Sequence, residues 1–184
     1  GQQLMRWSTP AQLPPELRER WAASRVWAAH QVPYLASALL ALDPVVVEDT
    51  DGIDFSRYPV DTKWRVYIDP DVLARDDVPR VGFWLVHQVA HLLRAHADRY
   101  PGTPVPDATA LDWQPTKEQQ RWKLATDAEI DDDLVGGELV IPPDATTPTT
   151  LGLPDGQLAE QYWDALPADA ECHVDRERAG RDDR

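Results

Sequence analysis

The sequence predicts a single, mostly helical α+β domain, and three observations support this prediction. Apolar residues recur at helical spacing over several long segments, two short β-branched runs separate the helices, and 42% of the 184 residues are hydrophobic. A chain of this length and composition can bury a core of its own. We expect a loose N-terminal arm over residues 1–13, the folded domain over 14–166 and a polar tail or linker over 167–184.

Prolines and capping residues mark where the predicted helices begin. A first helix is expected from about Pro15 to His30 and a second from Pro33 to Leu42, each with a proline in its first turn. Further helices are predicted from about Val78 to Arg99 after Asp77, from about Lys117 to Val135 behind a Thr116–Gln119 capping box, and from about Leu158 to Leu166. Residues 141–156 contain four prolines and are expected to be extended.

Two short segments have the residue types of β-strands. One is the run Val45–Val47, and the other is Trp64–Ile68, which ends just before Asp69-Pro70. Asp51-Gly52 between them is a turn signal. The simplest arrangement is a small antiparallel sheet packed on the buried helix that follows.

Charge and cysteine content exclude several classes of partner and location. Acidic residues outnumber basic ones by 32 to 18, and the resulting net charge of -14 would repel nucleic acid and anionic lipid. The single cysteine, Cys172, cannot form an internal disulfide, which fits a reducing compartment. Because no apolar run could span a bilayer and no signal-peptide pattern is present, we expect a soluble, cytoplasmic protein with neither nucleic acid nor membrane as a partner.

Two histidines interrupt the most apolar of the predicted helices. His87 and His91 lie one helical turn apart within the segment Val81–Leu93, so their imidazoles share a face and can bind one Zn²⁺. Apolar residues occur on every face of this helix, so we expect it to be buried. Its polar side chains must then find partners in the interior. The alternative interpretation is a pair of core histidines that hydrogen bond to the backbone.

A catalytic zinc usually has three protein ligands, and the candidates for the third are His96 and the acids of the helix over 117–135. Asp127 lies on the inward face of the helix over 117–135, and Asp131, one turn further on, could orient a metal-bound histidine. His96 is five residues past His91, a rotation of ~140° on a continuous helix, so we expect it to point away as a second-shell or end-of-helix residue. The neighbouring acids Glu129, Asp132 and Asp133 are expected to face solvent.

Position 88 changes the chemistry that this helix can perform. The segment His87–His91 differs from the zinc-binding motif His-Glu-x-x-His only at its second residue, Gln88. In that motif the glutamate takes a proton from the zinc-bound water that attacks the peptide carbonyl. Glutamine has nearly the same shape but cannot act as that base. The motif therefore predicts a retained metal site and lost peptide hydrolysis.

Several segments together resemble one bacterial family. They are Pro33–Ala36, Tyr67–Pro70, His87–His96 followed by Arg99, Ala125–Leu134, and Gly152–Pro154 through Ala159–Trp163. Over roughly residues 20–166 the chain resembles the bacterial zinc metallopeptidase domain that precedes a von Willebrand factor A-like (VWA-like) domain and is associated with MoxR-type AAA ATPases. The resemblance implies a minimal zincin-like fold, zinc on His87, His91 and Asp127, and a helper role for Asp131, where the family usually has asparagine. It also implies a following VWA-like domain and a functional link to a MoxR-type ATPase.

The expected function is a zinc-dependent endopeptidase acting on a protein or peptide, inactive here because Gln88 stands where the family has the glutamate base. We favour an inactivating substitution over the alternative, a natural pseudopeptidase that serves as a zinc-stabilised peptide-binding or scaffold module. A metal-free helical interaction domain is a third hypothesis. By analogy with zincins, a substrate would add as a β-strand along the Trp64–Ile68 edge. Tyr100 and Tyr162 are candidates for stabilising an oxyanion.

Overall fold

The computed structural model describes residues 7–8, 12–50, 52–104, 115–137 and 139–171. Asp51 of the predicted turn, Cys172 and the predicted tail beyond residue 171 lie outside these ranges. The described residues form a mostly helical α+β fold, which confirms the predicted class. Its helices are α1 (Pro15–Gln31), α2 (Ala36–Ala41), α3 (Pro70–Arg75), α4 (Val78–Leu93), α5 (Lys117–Val135), α6 (Pro148–Leu151) and α7 (Ala159–Ala165). Its strands are β1 (Trp7–Ser8), β2 (Asp43–Val47) and β3 (Arg65–Ile68).

The strands form one sheet in the order β1-β2-β3. β2 and β3 run parallel, with Val45 paired to Tyr67 and Val46 to Ile68, so the predicted antiparallel pairing of these two segments is wrong. The connection over residues 48–64 is long enough to cross over and return in the same direction, whereas an antiparallel hairpin needs only a short turn. β1, from the predicted arm, pairs antiparallel with β2. Leu13, also in the predicted arm, is buried in the main apolar cluster. Both β1 and Leu13 therefore pack onto the domain.

Capping boxes explain where two of the helices begin. Thr116 and Gln119 form the predicted capping box at the start of α5, with both reciprocal hydrogen bonds present. A second box, between Thr147 and Thr150, starts α6, and Gly152 ends it at φ +69°. Residues 148–151 are therefore a helical turn and not extended as predicted.

α4 ends six residues earlier than the sequence predicts. Its last residue is Leu93, and residues 94–99 form turns. Ala95 adopts φ +51°, a left-handed conformation that costs a non-glycine residue about 1–2 kcal/mol. The Ala95 amide donates to Leu92 O, and the His96 amide donates to His91 O. The chain therefore folds back over the last turn of α4 instead of continuing it.

Two apolar clusters hold α4 and α5 in place. α1 packs closely on α4 where Trp27 of α1 meets Gly82 of α4. A Cβ on Gly82 would overlap the Trp27 ring. Trp21 and Trp84 are buried in the same cluster, and Trp27 packs against it. In the second cluster, α5 packs on α7 through Trp122 and Tyr162. Within the described residues, no helix combines the length and apolar character needed to cross a membrane.

Candidate metal centre

Three side chains from two helices converge in the interior. α4 contributes His87 and His91, one turn apart, and α5 contributes Asp127. The two histidine Nε2 atoms lie 3.0 Å apart. Asp127 Oδ1 lies 3.1 Å from His87 Nε2 and 2.9 Å from His91 Nε2. The three atoms form a nearly equilateral triangle, which we call the ligand triangle.

Burial gives the ligand triangle one open side. The side chains of His87 and Asp127 are 2% and 1% exposed, whereas that of His91 is 19% exposed. A small molecule or peptide would therefore approach past His91. A group of this kind, closed on two sides and open on the third, is typical of a catalytic metal site, which keeps one position for water or substrate.

Asp131 fixes which ring nitrogen of His87 carries the proton. Its Oδ1 lies 2.7 Å from His87 Nδ1, at a buried position one turn beyond Asp127 on α5. An ionised carboxylate only accepts hydrogen bonds, so His87 Nδ1 carries the proton and donates it to Asp131. In the neutral ring, His87 Nε2 then directs a lone pair at the ligand triangle, as binding a metal would require.

The electrostatics of the ligand triangle favour a cation. Burial opposes protonation of His87, yet the carboxylates of Asp131 and Asp127 raise the pKa of His87 to about 9. Burial lowers the pKa of His91 to about 4. Burial also opposes ionisation of Asp127, but hydrogen bonds from both imidazoles hold its pKa well below the ordinary range. Without a metal, a proton on His87 supplies the positive charge that this arrangement attracts.

The donor set fits a zinc ion. Imidazole and carboxylate are both common zinc ligands at about 2.0–2.1 Å, and ligands of one tetrahedral zinc are then about 3.3 Å apart. The edges of the ligand triangle, 2.9–3.1 Å, need only a few tenths of an ångström of expansion. Asp127 Oδ2 and Asp131 Oδ2 are buried without a hydrogen-bond partner among the described residues, which leaves negative charge beside the triangle to be neutralised.

Comparison with known protein families assigns residues 17–184 to the family described as "Putative metallopeptidase domain". The chain belongs to this family. No curated protein and no solved structure matches the chain.

In this member of the family, Gln88 follows His87 directly in the sequence, but its side chain forms a hydrogen bond outside the ligand triangle. Its side chain is 9% exposed, and its Nε2 donates to the Arg57 carbonyl oxygen at 2.8 Å. A carboxylate at this position could not make that hydrogen bond, because it has no proton to donate. The segment around Arg57 therefore holds the residue 88 side chain in its present orientation.

Arg57 is a site residue that the sequence analysis missed. Its guanidinium lies 4.9 Å from the centroid of the Trp84 ring, and its Nη1 lies 3.6 Å from Asp127 Oδ2. That separation permits charge attraction but exceeds a hydrogen bond. Arg57 lies 30 residues before His87 in an irregular segment, so neither a motif nor a helical period could have indicated it.

His96 lies close to His91 rather than pointing away, because α4 ends at Leu93. His96 Nδ1 is 3.0 Å from His91 Nδ1, on the side of the His91 ring opposite the ligand triangle. His96 Nε2 is 3.0 Å from Glu129 Oε1. In this position His96 contacts His91 without being part of the ligand triangle.

Glu129 is buried, at 6% exposure, so its predicted position in solvent is wrong. Its carboxylate accepts from Arg94 and Arg99 and from the backbone amide of Ala159 at the start of α7. Burial raises the pKa of Glu129, but these hydrogen bonds and that of His96 together lower it to about 2. Of the other two acids, Asp133 is exposed and Asp132 is half-buried, with its carboxylate accepting from the Gly156 amide.

The predicted substrate edge is already occupied. On the side of β3 away from β2, Tyr67 N donates to Pro59 O at 2.9 Å and Asp61 N donates to Arg65 O at 3.1 Å. Val60 also forms an antiparallel bridge with Val66. A peptide could therefore add along β3 only by displacing residues 59–61. Of the two tyrosines considered for an oxyanion, Tyr162 donates its hydroxyl to Pro154 O within the α5–α7 cluster.

Proposed function

We propose that the chain is a zinc-dependent endopeptidase domain that binds zinc through His87, His91 and Asp127 and is inactive with Gln88 in its present form. The observation that carries the proposal is the ligand triangle, in which two buried donors and the half-buried His91 face one another within about 3 Å. Membership of a metallopeptidase family supports a protein or peptide as substrate.

The chain's own residues explain how zinc would be bound and why peptide hydrolysis would not occur. A zinc ion held here would acidify water and polarise a peptide carbonyl. His87 and His91 supply neutral nitrogen donors, Asp131 keeps the His87 Nδ1 proton in place, and Asp127 supplies negative charge. Gln88 cannot accept a proton, so no base is present at position 88. By its resemblance, the domain would act with a MoxR-type ATPase and a VWA-like domain.

The substitution Gln88→Glu tests this proposal. We expect the zinc-loaded Gln88→Glu protein to cleave unfolded proteins or peptides, while the parent chain cleaves none. Adding His87→Ala should abolish both the zinc and the new activity. Gln31→Glu, the same change at the end of α1, is the matched control and should gain nothing. If the zinc-loaded Gln88→Glu protein cleaved nothing in a broad peptide library, the endopeptidase assignment would be contradicted.

A second candidate is a natural pseudopeptidase that uses the zinc site to support peptide binding or scaffolding. The hydrogen bond from Gln88 Nε2 to Arg57 O favours it, because Gln88 can donate to that carbonyl and an ionised glutamate cannot. In this case Gln88→Glu would lower the thermal stability of the zinc-loaded protein and yield no cleavage. Cleavage by the Gln88→Glu protein would exclude this candidate.

A further inference from the structure

Three side chains form a continuous line from the ligand triangle to α7. His91 Nδ1 is 3.0 Å from His96 Nδ1, and His96 Nε2 is 3.0 Å from Glu129 Oε1. The Glu129 carboxylate continues through Oε2 to the Ala159 amide at 2.5 Å. His96 and Glu129 are both nearly buried, so water does not compete strongly for these contacts.

With a cation in the ligand triangle, the donors and acceptors along this line allow one consistent assignment for neutral rings. Glu129 accepts hydrogen bonds only, so His96 Nε2 must carry the proton. His96 Nδ1 then has a lone pair and accepts from His91 Nδ1–H. The remaining nitrogen of His91, Nε2, is left unprotonated 2.9 Å from Asp127 Oδ1, where a cation between them offsets the repulsion of the two lone pairs. The opposite tautomer of His91 would set two lone pairs against each other at 3.0 Å.

We propose that His96 and Glu129 form a positioning relay that fixes the tautomer and orientation of His91, so that its Nε2 is available to bind the metal. The relay thus orients His91 as Asp131 orients His87. The Glu129 carboxylate lies too far from His91 for a direct contact, and the His96 imidazole bridges that distance. This proposal rests on the proposed metal site. His96 and Glu129 touch neither metal nor substrate, so they are positioning residues.

A purely structural role for this pair has to be separated from the relay. Glu129 also binds Arg94 and Arg99, and changing it would disturb three elements at once. Trp122 Nε1 donates to the His96 carbonyl oxygen at 2.9 Å, and its ring also contacts the His96 ring edge-on. The test therefore changes the His96 side chain and leaves Glu129 in place.

Two substitutions at His96 separate the effects of polarity and packing. His96→Phe keeps a ring but removes both nitrogens, and we expect its zinc affinity to fall tenfold to a hundredfold. His96→Gln can accept with Oε1 from His91 and donate with Nε2 to Glu129, so it should recover most of the affinity. The matched control Trp122→Phe removes the hydrogen bond to the His96 backbone but leaves the relay atoms, and its affinity should stay within about threefold of the parent. Affinity is measured by competition with a chromophoric chelator.

The tautomer of His91 is read directly from the ¹⁵N chemical shifts of its ring in the zinc-loaded protein. The relay predicts zinc on Nε2 and a proton on Nδ1 in the parent and in His96→Gln, and a mixture or the reverse in His96→Phe. A zinc-loaded parent with His91 protonated at Nε2 would overturn the relay. Equal zinc affinity in His96→Phe and the parent would also overturn it. A parent that binds no zinc would contradict the proposed function and the relay together, whereas the first two results contradict the relay alone, so the two failures are distinguishable.

Discussion

His87 Nδ1 lies 2.7 Å from Asp131 Oδ1, so the helix that carries the proposed ligand Asp127 also carries the hydrogen-bond partner of the proposed ligand His87. Both carboxylates lie on one buried face of α5, one turn apart. Packing α5 against α4 therefore sets the position and the tautomer of His87 in a single step. The proposed metal site depends on the register between these two helices.

Substitutions at Asp131 test this relationship. Asp131→Asn keeps a carbonyl oxygen that can accept from His87 Nδ1–H, so we expect its zinc affinity to stay within about tenfold of the parent. Asp131→Ala removes the acceptor, and we expect a tenfold to hundredfold loss. Chelator competition measures both affinities. Equal affinities in the Ala variant and the parent would show that Asp131 does not position His87.

The contact between α1 and α4 should be sensitive to a single methyl group. In Gly82→Ala the new Cβ overlaps the Trp27 ring, and such overpacking costs about 1–3 kcal/mol. Alanine gains about 1 kcal/mol over glycine in a helix interior. Because the overlap is deep, we expect a net loss of stability, seen as a melting temperature several degrees lower.

Gly136→Ala is the matched control for Gly82→Ala. A Cβ on Gly136, at the end of α5, would meet its nearest neighbour, Asp133 O, at 4.0 Å, which is ordinary contact. Its melting temperature should therefore equal or exceed that of the parent. A Gly82→Ala protein as stable as Gly136→Ala would mean that the Trp27 ring moves aside at no cost.

Asp61 should stabilise the segment that covers the outer edge of β3. Its Oδ1 accepts from the amides of Lys63 and Arg65, and its Oδ2 accepts from the Arg65 side chain and the Tyr67 hydroxyl. Asp61→Asn replaces one acceptor oxygen with a donor, and we expect a loss of about 1–3 kcal/mol at pH 7. Thermal unfolding measures it.

The same carboxylate gives a pH dependence of known sign. Burial raises the pKa of Asp61, but the hydrogen bonds from Tyr67 and Arg65 together hold it below its ordinary value of 3.8. Its stabilisation is therefore fully present above pH 3.8 and is lost as the pH falls below that value. The difference in melting temperature between the parent and Asp61→Asn should shrink in this range. Asp164→Asn, an exposed change on α7, should melt as the parent does at each pH, and a constant gap for Asp61→Asn would contradict the assignment.

Local patterns in the sequence were enough to predict much of this molecule. Helical periodicity gave α1, α4 and α5 within a few residues at most ends, since apolar spacing and capping residues act over short distances. The same periodicity placed His87 and His91 on one face of α4, and Asp127 on the inward face of α5. The structure brings these three side chains together.

Features decided by distant contacts could not be predicted in this way. The parallel pairing of β2 and β3 depends on the path of residues 48–64, which no local pattern encodes. α4 was predicted to continue to about Arg99, yet Ala95 adopts a left-handed conformation and turns the chain back. Glu129 was predicted to face solvent, but Arg94, Arg99 and His96 surround its carboxylate and permit burial. Each outcome follows from tertiary partners that become neighbours only in the folded chain.

Zinc content after loading and desalting is the most direct test of the ligand triangle. We expect about one zinc per chain in the parent and in His30→Ala, which removes an exposed histidine, and nearly none in Asp127→Ala. Zinc retained equally by Asp127→Ala and the parent, or absent from the parent, would contradict a metal site built from His87, His91 and Asp127.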